Sequence, residues 1–176
     1  MSDERIELLE ANIRDVPDFP KPGILFKDIT PLLANPKAFI TCLDLFAERW
    51  AGEHVDAIVG VESRGFIFGA ALAARMSVSF VPVRKPGKLP AEVERVEYAL
   101  EYGTDTLEIH VDALEPGDKV VLIDDLMATG GTAAAAVQLC RGRGAEILAC
   151  GFVIELGFLE GRAKLGDVPV YSILNY

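Results

Sequence analysis

Residues 120–132 read Val-Val-Leu-Ile-Asp-Asp-Leu-Met-Ala-Thr-Gly-Gly-Thr. Val120 to Ile123 form a short apolar run of the kind that makes a buried parallel strand. Asp124 and Asp125 stand where that strand is expected to end. Ala128-Thr129-Gly130-Gly131-Thr132 then reads as a small, hydroxyl-bearing turn that opens an alanine-rich helix from Ala133 to about Arg141. A glycine turn at a helix start offers free backbone N–H groups and a positive dipole end to a phosphate. In an open α/β sheet, ligands gather at the carboxyl ends of the strands. Two carboxylates would repel a bare phosphate, so they fit better as holders of ribose hydroxyls or of a Mg²⁺ ion. One strand end therefore combines a phosphate cradle with a sugar or metal clamp. No Gly-Lys-Ser/Thr follows the glycines, which excludes a Walker A loop, and Gly-x-Gly-x-x-Gly is missing, which excludes a dinucleotide fingerprint.

Two further clusters fit the same chemistry. Glu62-Ser63-Arg64-Gly65 lies between a strand at Val55 to Val61 and an alanine-rich helix reaching about Arg75. It repeats the strand–turn–helix pattern, so two anion-ready turns should share one sheet edge. Arg84-Lys85-Pro86-Gly87-Lys88-Leu89-Pro90 follows a strand at Val78 to Val83. Its three cations sit on a loop stiffened by two prolines and broken by Gly87, a composition suited to closing over a polyanion.

The elements that must position these groups alternate along the chain. Ile6, Leu9 and Ile13 give residues 3–13 a helical spacing behind Ser2-Asp3. The proline-rich stretch 15–23 excludes a regular helix, and 24–33 reads as ordered but irregular. Phe39, Leu43, Phe46 and Trp50 form one apolar stripe of a helix over 36–50, with Pro36 in its first turn and Gly52 past its end. Segments 94–100 and 105–111 read as a hairpin or short antiparallel excursion around Glu101-Tyr102-Gly103-Thr104. A strand over 146–155, a short helix near Phe158 and a last strand from Val170 to Leu174 complete the pattern. The alternation predicts an α/β fold with a largely parallel, doubly wound sheet. The length of 176 residues predicts a single domain over 1–176, with about 1–35 as an N-terminal helix and hood.

Composition narrows the function classes. The net charge of −10 argues against non-specific nucleic-acid binding and against anionic membranes. Binding of a strong anion would thus depend on locally concentrated cations, with Arg64, Arg84, Lys85 and Lys88 the candidates. Cys42, Cys140 and Cys150 have no Cys-x-x-Cys spacing and read as reduced, packed thiols. His54 and His110 have no metal-ligand spacing. The N-terminus lacks the features of a signal peptide and no run approaches membrane-spanning length, so a soluble, cytoplasmic protein is expected.

Taken together and in this order, Glu-Ser-Arg-Gly-Phe, Val-Arg-Lys-Pro-Gly-Lys-Leu-Pro, Leu-Glu-Tyr-Gly and Asp-Asp-Leu-Met-Ala-Thr-Gly-Gly-Thr resemble the type I phosphoribosyltransferases, and within them the adenine phosphoribosyltransferases. The resemblance covers about residues 15–175. It implies a reaction of adenine with phosphoribosyl pyrophosphate (PRPP) to give AMP and pyrophosphate, with Mg²⁺. It assigns Asp124, Asp125, Ala128, Thr129, Gly130, Gly131 and Thr132 to the ribose and its phosphate. Glu62, Ser63, Arg64, Lys85 and Lys88 fall to the pyrophosphate, with Glu62 standing where other members often carry Asp. Glu101 becomes the general acid/base at the purine and Tyr102 packs at the mouth of the site, while Arg64 and Lys88 join Glu101 as catalytic groups. Phe19 to Asp28 resembles the segment that covers the base, with Phe26 stacking and Leu25 and Lys27 beside it. Magnesium would arrive with PRPP, with Asp124 and Asp125 reaching it by way of water. A homodimer is implied as well. The alternatives are a phosphoribosyltransferase for another base and a non-catalytic PRPP-binding regulator, although the latter would need a DNA-binding segment.

Overall fold

Uninterrupted apolar runs have no solvent-facing side to offer, so they must lie in the middle of a sheet covered on both faces. The computed structural model describes residues 4–100 and 103–176 and arranges the chain in this way. In chain order the elements are α1 (Glu4–Glu10), β1 (Arg14–Pro17), β2 (Leu25–Asp28), α2 (Thr30–Ala34), α3 (Pro36–Arg49), β3 (Ala57–Val61), α4 (Gly65–Met76) and β4 (Ser79–Val83). There follow β5 (Val93–Ala99), β6 (Thr104–His110), β7 (Lys119–Met127), α5 (Gly131–Gly142), β8 (Glu146–Glu155), two short 3₁₀ turns over Gly157–Leu159 and Gly161–Leu165, and β9 (Val170–Asn175). The central sheet has the order β4-β3-β7-β8-β9, and all its pairs are parallel. This is the α/β architecture expected from the alternation.

Side-chain alternation divides the core into two layers. Ala57, Val59 and Val61 of β3 join Val120 and Leu122 of β7 on the face covered by α5. Ile58, Val121 and Ile123 point to the other face, against Leu43 and Phe46 of α3 and Phe68 and Leu72 of α4. The expected α3 stripe is present: Leu43, Phe46 and Trp50 are buried, and Phe39 packs edge-on against Phe68 at 5.7 Å. The Asn35 side chain caps α3 by accepting from the N–H groups of Lys37 and Ala38 at 3.1 and 3.3 Å.

Four differences from the sequence reading bear on the site and its surroundings. The strand carrying the two carboxylates runs on to Met127, because Leu126 and Met127 still pair with Ile154 and Glu155 of β8; Asp124 and Asp125 therefore lie within β7 rather than at its end. Helix α5 opens at Gly131 instead of Ala133. The stretch read as irregular holds β2 and α2, with β1 pairing antiparallel to β2 from Arg14 opposite Asp28 to Pro17 opposite Leu25. Prolines are compatible with so short a two-stranded ribbon, since its outer edges need no ladder partners. The short helix near Phe158 is the pair of 3₁₀ turns.

Gly151 in β8 shows how closely α3 and the residue after it pack on the sheet. A Cβ there would lie 2.7 Å from Ile123 Cδ1 and 2.7 Å from Trp50 Cη2. Gly151→Ala is expected to lower the unfolding free energy by about 1–3 kcal/mol through overpacking, as read by urea denaturation. An unchanged midpoint would mean that α3 packs on the sheet more loosely than this contact implies.

Candidate active site

The order β4-β3-β7-β8-β9 reverses direction between β3 and β7. From β3 the chain moves outward to β4; from β7 it moves the other way to β8 and β9. The helices leaving β3 and β7 cover opposite faces, and a crevice opens between their N-termini. A cleft of about 320 Å³ lies there, lined by Glu62, Ser63, Arg64, Lys85, and all residues from Asp124 to Ala133, with Phe152 beneath. The structure thus brings together three of the segments singled out in the sequence. Gly65 permits the approach of α4 to β7: a Cβ on it would lie 2.8 Å from Asp124 Oδ1 and 2.9 Å from the Ile123 carbonyl.

Gly130 takes the left-handed conformation at φ 79° and serves as N-cap of α5, with no side-chain cap. Residues 128–132 line the cleft and the start of α5 has no side-chain cap, as an anion cradle requires. The Thr132 hydroxyl lies 3.3 Å from the Tyr98 hydroxyl. The Asp125 N–H donates to Asp124 Oδ1 at 2.8 Å. Desolvation, reinforced by the Asp125 charge beside it, pushes the Asp124 carboxyl well above the usual carboxylate range. A protonated Asp124 would not repel a phosphate and could donate to a ligand oxygen.

The cations expected to meet an anion already have carboxylate partners. Arg64 Nε donates to Asp125 Oδ2, and Asp125 is only 5% exposed. Lys85 Nζ donates to Asp105 Oδ2 and to the Tyr98 hydroxyl, the latter at 3.3 Å. Lys88 Nζ donates to Glu62 Oε1 at 2.8 Å and lies outside the lining of the cleft. Glu62 also accepts from Arg84 Nη2 at 3.1 Å and from the Lys85 N–H at 2.8 Å. Glu108, 2% exposed, accepts from the Gly87 N–H at 3.1 Å and pairs with Arg95. The basic 84–90 loop is therefore tethered at two carboxylates, Glu62 at the sheet edge and Glu108 in β6.

The segment expected to cover a base comes near this cleft at Arg64. The Phe26 ring is half-buried, 5.1 Å from Phe19 edge-on and 5.9 Å from the Arg64 guanidinium. Leu25 is exposed. Lys27 points away, to Asp15 Oδ1 at 2.6 Å and over the Tyr176 ring at 3.8 Å, so only its backbone remains for a ligand. Glu101 and Tyr102 fall outside the described residues. Sequence reasoning missed Tyr98, Asp105, Leu126 and Phe152. Tyr98 stands opposite Asp105 in the hairpin register, a pairing that counting outward from the 101–104 turn could have found. Leu126 and Phe152 carried no signal beyond that of core residues. The two histidines are satisfied: His54 pairs with Asp56 at 3.0 Å, and His110 Nε2 accepts from the Ala91 N–H at 3.3 Å.

Desolvation alone would raise the Glu62 carboxyl. The bonds from Lys88, the Lys85 N–H and Arg84 outweigh it and hold the group at about 2. A carboxyl depressed in the folded state contributes stability above its unfolded value of 4.5, and this is lost as pH falls from there through about 2. The Glu62 side-chain carbonyl resonance should accordingly titrate near pH 2; a midpoint near 4.5 would show that the tether is not formed. Glu62→Gln should also speed tryptic cleavage after Lys88.

The sequence profile of the phosphoribosyl transferase domain matches residues 28–169. An adenine phosphoribosyltransferase of Sorangium cellulosum is 59% identical over 180 residues, spanning 99% of this chain and 90% of that one. The crystal structure of adenine phosphoribosyltransferase from Thermoanaerobacter pseudethanolicus superposes with a TM-score of 0.94 at 50% identity, covering 97% of this chain and 99% of the other. That of the Saccharomyces cerevisiae enzyme, complexed with an imino-altritol bisphosphate and adenine, gives 0.93 at 44% identity, with 97% and 99% covered. With a parallel sheet that reverses at a glycine-lined anion cleft and relatives of this identity over nearly its whole length, the chain belongs to the adenine phosphoribosyltransferase family.

Proposed function

We propose that the protein transfers the phosphoribosyl group of PRPP to adenine, releasing pyrophosphate and giving AMP, a step of purine salvage. One observation carries the reading: the glycine loop that opens α5 and the adjacent Asp124 and Asp125 carboxyls line the same cleft as Arg64 and Lys85. The chain works as one domain, with residues 1–35 as a hood.

In this reading the amides of 128–132 and the hydroxyls of Thr129 and Thr132 hold the ribose phosphate. Asp124 and Asp125 hold the ribose hydroxyls. Ser63, Arg64, Lys85 and Lys88 receive the departing pyrophosphate, and Glu62 releases Lys88 to it. Neutralising that developing charge in a water-poor cleft is the largest catalytic contribution expected of the protein. Phe26 stacks on the purine, the backbone of Leu25 and Lys27 borders its edge, and Tyr102 closes the mouth. Adenine N9 bonds to the anomeric carbon as the carbon–pyrophosphate bond breaks, and Glu101 takes the proton leaving the ring. Loop 84–90 excludes water from the ribosyl centre.

The residues fit magnesium carried by the substrate. Among the described residues no group of three or more His, Cys, Asp or Glu could hold a metal, whereas Mg²⁺ commonly takes one or two carboxylates together with substrate phosphates and water. Asp124 and Asp125 would meet it through water, and the ion would offset charge on the pyrophosphate. A homodimer in the cytoplasm completes the proposal. Three buried free thiols, and the absence among the described residues of any helix long and apolar enough to cross a membrane, are in keeping with that setting.

The test is a panel of bases with PRPP and Mg²⁺. Adenine alone should yield its nucleotide. Product from hypoxanthine, guanine, xanthine or orotate instead would discard the base-site residues, and PRPP binding without product from any base would favour a regulator. Glu101→Gln should cut kcat by about 10²-fold or more while PRPP affinity is held; unchanged turnover would remove Glu101 from its role.

A further inference from the structure

The phosphate loop has no side-chain cap at the start of α5, so its position must be set from behind. The residues standing there belong to the turn after β8. A Cβ on Gly130 would collide with the Gly161 carbonyl, and a Cβ on Gly161 would collide with the Ala128 carbonyl. The same Gly161 Cβ would lie 3.1 Å from the Gly130 nitrogen and 3.1 Å from Met127 Cγ. The contact is backbone against backbone and excludes a side chain from either partner. Gly130 has a second reason to be glycine, its positive φ. Gly161 is not among the residues of positive φ, so the contact itself accounts for the missing side chain.

Gly161 is in turn held firmly. Arg162 Nε and Nη2 donate to the two oxygens of Glu155 at 2.7 and 2.6 Å. Glu155 is 5% exposed, ends β8, and stands opposite Met127 in register. Arg162 Nη1 donates to the Val170 carbonyl at 3.3 Å, and the Leu156 N–H donates to the Met127 carbonyl at 2.9 Å. A bidentate guanidinium fixes orientation as well as distance. Leu165, closing the same turn, is buried in the core layer beneath α5.

We propose that residues 160–162 form a buttress that sets the phosphate loop: Gly161 by direct contact, Arg162 and Glu155 by orienting Gly161. They are positioning residues and touch no substrate. The inference rests on the reading of 128–132 as the PRPP phosphate site.

The test is calorimetric titration of the full chain with PRPP and Mg²⁺, together with KM for each substrate. Gly161→Ala should weaken PRPP by about tenfold or more, equivalent to one lost charge-assisted hydrogen bond. KM for adenine should stay within about twofold, since only the phosphate subsite moves. Gly166→Ala is the control: it strains the same segment at φ 58° with nothing within 4 Å, so it should lower Tm and leave PRPP affinity unchanged. If Gly161→Ala does not fold, Arg162→Lys decides, because it keeps the charge and loses the fork; it should weaken PRPP by about threefold or more. A folded variant with parental PRPP affinity overturns the buttress, as does an equal loss toward PRPP and adenine. A parent protein that binds no PRPP overturns the phosphate-site reading itself, and its own titration tells that failure from the other.

Discussion

Charge pairing inside the cleft is the constraint on which the rest of the site depends. A chain of net charge −10 must present cations to a polyanion without losing them to its own carboxylates. It does so by giving cations in and beside the cleft defined carboxylate partners: for those lining it, Arg64 to Asp125 and Lys85 to Asp105, and at its border Lys88 to Glu62. Two of those carboxylates have side chains less than a tenth exposed, so leaving either without a partner is costly. An incoming phosphate that draws Arg64 away must be accompanied by something that satisfies Asp125. Ribose hydroxyls can, and they belong to the same molecule as the phosphates. The pairing therefore favours a ligand that is both polyanion and polyol over a simple phosphate.

The fold exists to hold this arrangement at one sheet edge. Parallel pairing of β3 with β7 runs to Gly60 opposite Ile123 and so brings Glu62, just past β3, level with Asp124 inside β7, and glycine at 65 lets the following helix approach the second carboxylate. The β5–β6 hairpin stands behind Lys85, which Tyr98 and Asp105 hold. Arg84 exchanges backbone hydrogen bonds with Glu108 at 2.9 and 2.8 Å, so the loop after β4 and the hairpin form one continuous edge.

The parts of this site that were legible in the sequence are those whose composition is dictated locally. The Asp-Asp and Thr-Gly-Gly-Thr elements, the Glu-Ser-Arg-Gly turn and the basic loop each carry their chemistry within a few consecutive residues, and strand–helix alternation placed them on one edge. The misplaced boundaries have a shared cause. Asp124 to Met127 lacks apolar character at its start, yet it pairs as strand because β8 alongside continues to Glu155; a neighbour's ladder overrides local propensity. Likewise β1 and β2 are too short and proline-rich to announce themselves and exist through each other. Lys27 reads from the sequence as a neighbour of Phe26 at the base, but its side chain turns to Asp15 and the Tyr176 ring instead. The contact of Gly161 with Gly130 spans thirty-one positions and involves no side chain, so no pattern in one sequence could reveal it.

The three cysteines lend the molecule a built-in reporter. All are buried, and burial pushes the Cys140 and Cys150 thiols up to about 12 and Cys42 higher still. None can form a thiolate at neutral pH while the chain is folded, so alkylation must wait for the surrounding structure to open. Cys42 lies in the layer under α3, whereas Cys140 and Cys150 lie in the layer under α5. Their labelling rates are thus separate clocks for the two sides of the sheet. A ligand that bridges the crevice between β3 and β7 should slow both clocks together, turning ordinary thiol chemistry into a record of how the two halves of the protein are coupled.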